Sequence, residues 1–188
     1  MRLHLLCATI LLSALTILPV KASQWQLVAV PQTTGKEGSV LTISKPFQVI
    51  LNNTSLHDLK VWKEWCSWGY FNLSFEFTDE KGKVAVIRKN GMIWYGNKPD
   101  GMVIQPGCAY SITVNLSGKN DIGWQAWTGV NALHGKMTMR VIYTNSKEFT
   151  IGGNPTTKSA YASDLDKQVN SAWFGTVKSE PIPVTIVR

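Results

Sequence analysis

An all-β chain folded as an antiparallel sandwich or barrel is predicted by three features: apolar–polar alternation of period two in many short segments, turn chemistry between them, and no helical periodicity long enough to link parallel strands. The alternating segments are WQLVAV (Trp25 to Val30), FQVILNN (Phe47 to Asn53), LKVWKEW (Leu59 to Trp65), FNLSFEFT (Phe71 to Thr78), KVAVIRK (Lys83 to Lys89), AYSITVNL (Ala109 to Leu116), MTMRVIYTN (Met137 to Asn145) and IPVTIV (Ile182 to Val187). VLTI (Val40 to Ile43) and MIWY (Met92 to Tyr95) are shorter and weaker. All are rich in β-branched or aromatic residues, which fit a pleated surface. Between them NNTS, DEKGK, KNG, NKPDG, QPG, SGKND and IGGNP supply the glycines, asparagines and prolines that reverse a chain.

The one helix candidate is SAYASDLDKQVNSAW (Ser159 to Trp173), where Ser163 is placed to cap a turn and Ala162, Leu165 and Val169 fall near one face. At most one short helix is therefore expected, near residues 160–171.

The first 22 residues read differently. Arg2 is followed by an apolar run from Leu5 to Val20, with Val20 and Ala22 at the positions a signal peptidase reads. The expectation is a signal peptide over residues 1–22 and a single β-sandwich domain over 23–188, secreted or periplasmic. Pro19 and Lys21 interrupt the run, which is short for a span of ~20 residues, so no stable membrane insertion is expected once the signal is removed. Its loss takes away Arg2 and Lys21 and no acid, lowering the formal charge from +7 to +5. The remaining lysines and arginines are scattered, without the contiguous basic footprint that phosphates require. Nucleic acid is thereby disfavoured as a partner.

Export leaves Cys66 and Cys108, and an even pair in an oxidising compartment predicts one disulfide closing a loop worth about 4 kcal/mol at most. No CxxC is present, and His57 and His134 stand far apart, so no metal is expected. No phosphate-cradling glycine motif occurs either, and no cofactor is expected. Catalysis would need an oriented base beside a nucleophile or paired carboxylates. LHD at His57 and LHG at His134 read as solvated turns, and the chain is expected not to be an enzyme.

Aromatic residues carry the binding candidates. KVWKEWCSWGYF (Lys60 to Phe71) holds Trp62, Trp65 and Trp68, and in an extended chain these emerge on both faces, so at least one of Trp62 and Trp65 should be exposed. Gly69 is expected to break the strand in a bend or bulge. A second group, Trp124 and Trp127 in GWQAWTG, with Tyr95, sits in segments rich in turn residues. Flat indole faces suit either a protein or a glycan partner, while inward folding would make the same residues core.

The order FQVILNNTSLHDLKVW, FEFTDEKGKVAVIRK and VIQPGCAYSITVNL, with the closing AWFGTVKSEPIPVTIV, resembles the immunoglobulin-like β-sandwich of bacterial exported proteins. More narrowly it is similar to the BsuPI-type proteinase inhibitor domain. The resemblance covers residues 47–116 and 172–187 and implies a non-catalytic module whose loops or edges bind a macromolecule, with proteinase inhibition as the alternative it implies; glycan binding, the other alternative, rests on the tryptophans alone. The Trp62–Trp68 segment and the insert at 117–136 depart from the inhibitor pattern, and no reactive loop carries over.

Overall fold

The alternation becomes two facing layers of strand in a computed structural model, which describes residues 24–30, 32–33, 39–91, 98–119, 125–145 and 171–188. In chain order the strands are β1 (Trp25–Val30), β2 (Gln32–Thr33), β3 (Ser39–Thr42), β4 (Phe47–Asn53), β5 (Leu59–Trp62), β6 (Leu73–Asp79), β7 (Val84–Lys89), β8 (Gly101–Ile104), β9 (Ala109–Val114), β10 (Trp127–Thr128), β11 (Gly135–Asn145), β12 (Gly175–Lys178) and β13 (Ile182–Val187). One helical turn, α1 (Ser67–Tyr70), lies between β5 and β6. A 3-10 turn occupies Val130–Ala132.

The protein is an all-β sandwich. One layer is the sheet β1-β4-β9; the other runs β10-β7-β6-β11-β13-β3-β2, with β12 also paired to β11, and β5-β8 forms a separate two-stranded ribbon. All ladders are antiparallel except β3 with β13, which is parallel because the chain changes layer after β1 and reaches the far edge in the direction of its last strand.

The core follows from alternation. Trp25 and Leu27 of β1, Phe47, Val49 and Leu51 of β4, and Ile112 and Val114 of β9 point inward and are buried. They meet Phe75 and Phe77 of β6, Met139 and Val141 of β11, and Val184 and Ile186 of β13, also buried. Phe75 bridges the layers, edge-on to Phe47 at 5.6 Å and tilted on Trp127 at 5.4 Å. Each such side chain contributes about 1.5–3 kcal/mol of burial.

The structure differs from the sequence expectation in three places. LKVWKEW does not remain extended to Trp65, since β5 ends at Trp62. β8 joins a ribbon that its four residues, beginning with glycine, did not announce. CSWGY forms a helical turn rather than a bulge. MIWY, the signal segment and the helix candidate up to residue 170 lie outside the described residues. Among the described residues no helix is long and apolar enough to cross a membrane.

Candidate functional site

At the end of the β5-β8 ribbon the backbone leaves the sheet abruptly. The Lys63 N–H still donates to the Asp100 carbonyl at 2.9 Å, but the Cys66 N–H turns back to Lys63 O at 3.3 Å. Gly69 and Tyr70 then donate to Cys66 O at 3.0 and 2.9 Å, closing α1. Cys66 caps the turn in an extended conformation without a side-chain cap, because its thiol donates to Lys63 O at 3.2 Å.

This turn sorts the three tryptophans. Trp62 stays on the outer side of the ribbon and is 1% exposed, buried in a satellite cluster with Cys66 and Ala172 against Trp68 and Phe174. Lys60 closes its ring at 5.1 Å, and Gly101 leaves the room: a Cβ there would stand 3.2 Å from Trp62 Cζ3. Trp65 emerges on the surface, 65% exposed. Trp68 is half-buried.

Exposed as it is, Trp65 is held. Its indole Nε1 donates to Asp100 Oδ2 at 2.6 Å, and Lys63 Nζ lies 4.9 Å from the ring centroid while pairing with Asp100 Oδ1 at 3.0 Å. One carboxylate therefore anchors the ring by its N–H and positions the cation on its face. Hydrogen bonds from Lys63 and then from Trp65 hold the Asp100 carboxyl below its ordinary 3.8. A group depressed in this way favours the clamped form above the ordinary value and releases it as pH falls through the folded one. Acidification below about 3.8 is thus expected to increase acrylamide quenching of Trp65, taken as wild type minus Trp65→Phe. Asp100→Asn should flatten that change, and an unchanged profile in the variant would count against the clamp.

Behind Trp65 lies a second charged pair. Lys89 Nζ reaches Glu64 Oε1 at 3.6 Å, with side chains 14% and 25% exposed. The ammonium sits 4.5 Å from the Trp127 ring and 4.9 Å from the Tyr70 ring. Burial raises the Glu64 carboxyl, Lys89 partly opposing it, and burial lowers the Lys89 ammonium, Glu64 partly opposing it. Tyr110, whose phenol is raised by burial and then by the Glu64 charge, faces the same pair. The pair therefore ties the Trp65 turn to β7 and β10.

Of the aromatic residues read as binders, Trp65 is exposed, Trp68 is half-buried, and Trp62 and Trp127 are core. Trp127 plugs the sandwich against Phe75. Tyr95 and Trp124 lie outside the described residues. Cys66 and Cys108, read together as a bridge, stand as free thiols in this structure, Cys66 buried and Cys108 exposed. The β5-β8 ladder explains this, since Cys66 packs at its Gly101 end and Cys108 follows its Ile104 end. Three strand steps separate these ends by ~10 Å, beyond the ~7 Å Cα limit of a disulfide.

Sequence reasoning missed Asp100, Glu64 and Lys89 as parts of this site. A signal for Lys89 existed, because it shares the inward alternation of Ala85 and Ile87 on β7. The Cys66 sulfur faces the carbonyls of Lys63 and Asp100, with no base beside it among the described residues. No family model matches the chain, and no curated protein or solved structure is significantly similar to it.

Proposed function

We propose that this chain is an exported, non-catalytic sandwich of immunoglobulin-like topology that binds a protein partner through the Trp65 end. The topological part rests on strand order. β1-β4-β9 against β7-β6-β11-β13 corresponds to strands A-B-E facing C′-C-F-G, although β8, in the place of strand D, pairs with β5.

The functional part rests on one observation, the exposure of a tryptophan whose orientation is already fixed. Ordering a side chain at an interface costs about 0.5–1.5 kcal/mol, and here Asp100 and Lys63 have removed most of that freedom beforehand. Buried aromatic anchors of this kind dominate protein interfaces. The indole N–H is committed to Asp100 and one ring face to Lys63, which leaves apolar surface for insertion into a pocket. A sugar ring would instead use an electron-rich face and the free N–H, so the geometry favours a protein over a glycan.

The test places a photo-crosslinking residue at the exposed Lys98, close to the clamp, and a second at Leu56, 88% exposed beyond the other end of β5. In cells making the protein, a discrete adduct is expected from position 98. It should vanish with Trp65→Ala and persist with Trp65→Phe. An adduct indifferent to Trp65→Ala, or the same adduct from position 56, would overturn the reading.

A further inference from the structure

The two outer faces of the sandwich differ in charge. On the β1-β4-β9 sheet no outward position is charged, and its polar groups satisfy one another: Gln48 bonds Ser111 and Thr113, and Asn52 bonds Gln26. The outward face of the larger sheet carries Arg88, Lys136, Arg140 and Lys178 against Glu76 alone. Glu76 pairs with Lys178 at 3.7 Å. Arg88 and Arg140 form no ion pair among the described residues.

The face is also concave. An open groove of about 450 Å³ runs over it, lined by Ser74, Glu76, Arg88, Ile142, Thr144 and Lys178 among others. Strand register fixes the spacing of its charges. Arg88 lies opposite Ser74, Ser74 opposite Ile142, and Ile142 opposite Lys178, so one row crosses four strands with a cation at each end. Three inter-strand steps place those cations ~14 Å apart. Between them lie a hydroxyl and an apolar side chain, and Val86, 40% exposed, borders the row. An extended peptide advances ~3.4 Å per residue, so carboxylates four residues apart span the same distance.

We propose that this groove docks an extended acidic segment of a protein, laid across the strands, with carboxylates at i and i+4 meeting Arg88 and Lys178 and a short apolar side chain against Val86 and Ile142. Arg140 stands opposite Glu76 in the β6-β11 register, so the one carboxylate of this face has a second cation beside it and the face remains net positive. The groove adjoins the Trp65 site through Lys89, which lines its edge, but Arg88 and Lys178 take no part in the Trp65 clamp.

The test uses fluorescence anisotropy on the full chain. The probe is a fluorescein-labelled pentapeptide with glutamate at positions 1 and 5 and Thr-Val-Thr between, and its control has glutamine at both ends. The glutamate peptide is expected to bind about tenfold more tightly than the control, with affinity falling as salt rises. Arg88→Gln and Lys178→Gln should each abolish most of that preference, while Lys45→Gln, the same charge change in the exposed β3–β4 turn, leaves it intact. Equal binding of the two peptides, or equal effects of the Arg88 and Lys45 substitutions, would overturn the proposal. Vesicles of anionic lipid and a single-stranded oligonucleotide are run in competition. Preferential binding of either would reassign the face away from protein. Thermal melts of the variants are expected to match wild type, since all three side chains are solvent-facing.

Discussion

Lys89→Ala is expected to destabilise the sandwich by about 3 kcal/mol, read as a shift in the urea midpoint. The substitution removes an ammonium held between Tyr70 and Trp127 and leaves the Glu64 carboxylate, only 25% exposed, without its cation. Breaking a buried pair on one side costs about 3–5 kcal/mol, more than keeping the pair is worth. Some solvent reaches Glu64, which places the expectation at the lower end.

Two companion variants separate charge from packing. Lys89→Met retains the aliphatic stem against both rings and is expected to recover about half of the loss. Glu64→Gln combined with Lys89→Met should lie within ~1 kcal/mol of wild type, since replacing a buried pair by neutral groups of similar volume is often harmless. In Lys89→Met, burial of Glu64 is no longer opposed by a cation, so its carboxyl keeps a proton to higher pH than in wild type. A raised folded value means stability fully present below the ordinary 4.5 and lost as pH rises through the folded value. The variant should therefore compare best with wild type in acid and worst at neutral pH. A Lys89→Ala loss below ~1 kcal/mol, or no pH trend in Lys89→Met, would show that the pair carries little.

The same residue marks how far the sequence could be read. Alternation located the larger strands because each has one buried face, and period two survives whatever the strand pairs with. The same alternation puts Lys89 on the inward side with Ile87, a signal that was missed, and nothing local names Glu64, twenty-five residues away, as its partner. Trp65 was legible as one of two candidates for exposure. Which of the two emerged depended on where β5 stopped, and the stop comes after the cross-ribbon Lys63 N–H bond to Asp100 O, where the Cys66 N–H turns back to Lys63 O. The separation of the two cysteines was illegible for a related reason. Counting cysteines gives their number but not their separation, and β8, the strand that holds them apart, is four residues beginning with glycine and shows little pattern.

Gly69→Ala is expected to cost at least about 3 kcal/mol, against an intrinsic preference of the opposite sign. Helix propensity alone favours alanine over glycine by about 1 kcal/mol within a helical turn. Packing decides otherwise. A Cβ at Gly69 would stand 2.1 Å from the Lys63 carbonyl oxygen, 2.6 Å from its carbon and 2.7 Å from the Trp62 oxygen. These are backbone atoms at the close of β5, and no rotamer change can move them. Relief would require α1 to swing away from the ribbon, taking with it the Gly69 and Tyr70 bonds to Cys66 O and uncovering Trp62. Because Lys63 is also the cation on Trp65, the same displacement should loosen the clamp and raise acrylamide quenching of that ring. Gly91→Ala provides the control, since nothing lies within 4 Å of its would-be Cβ, and its midpoint should stay within ~0.5 kcal/mol of wild type. Equal midpoints for the two alanine variants would mean that the turn does not press on β5 in solution. The fixed orientation of Trp65, on which the binding proposal stands, would then lose its mechanical support.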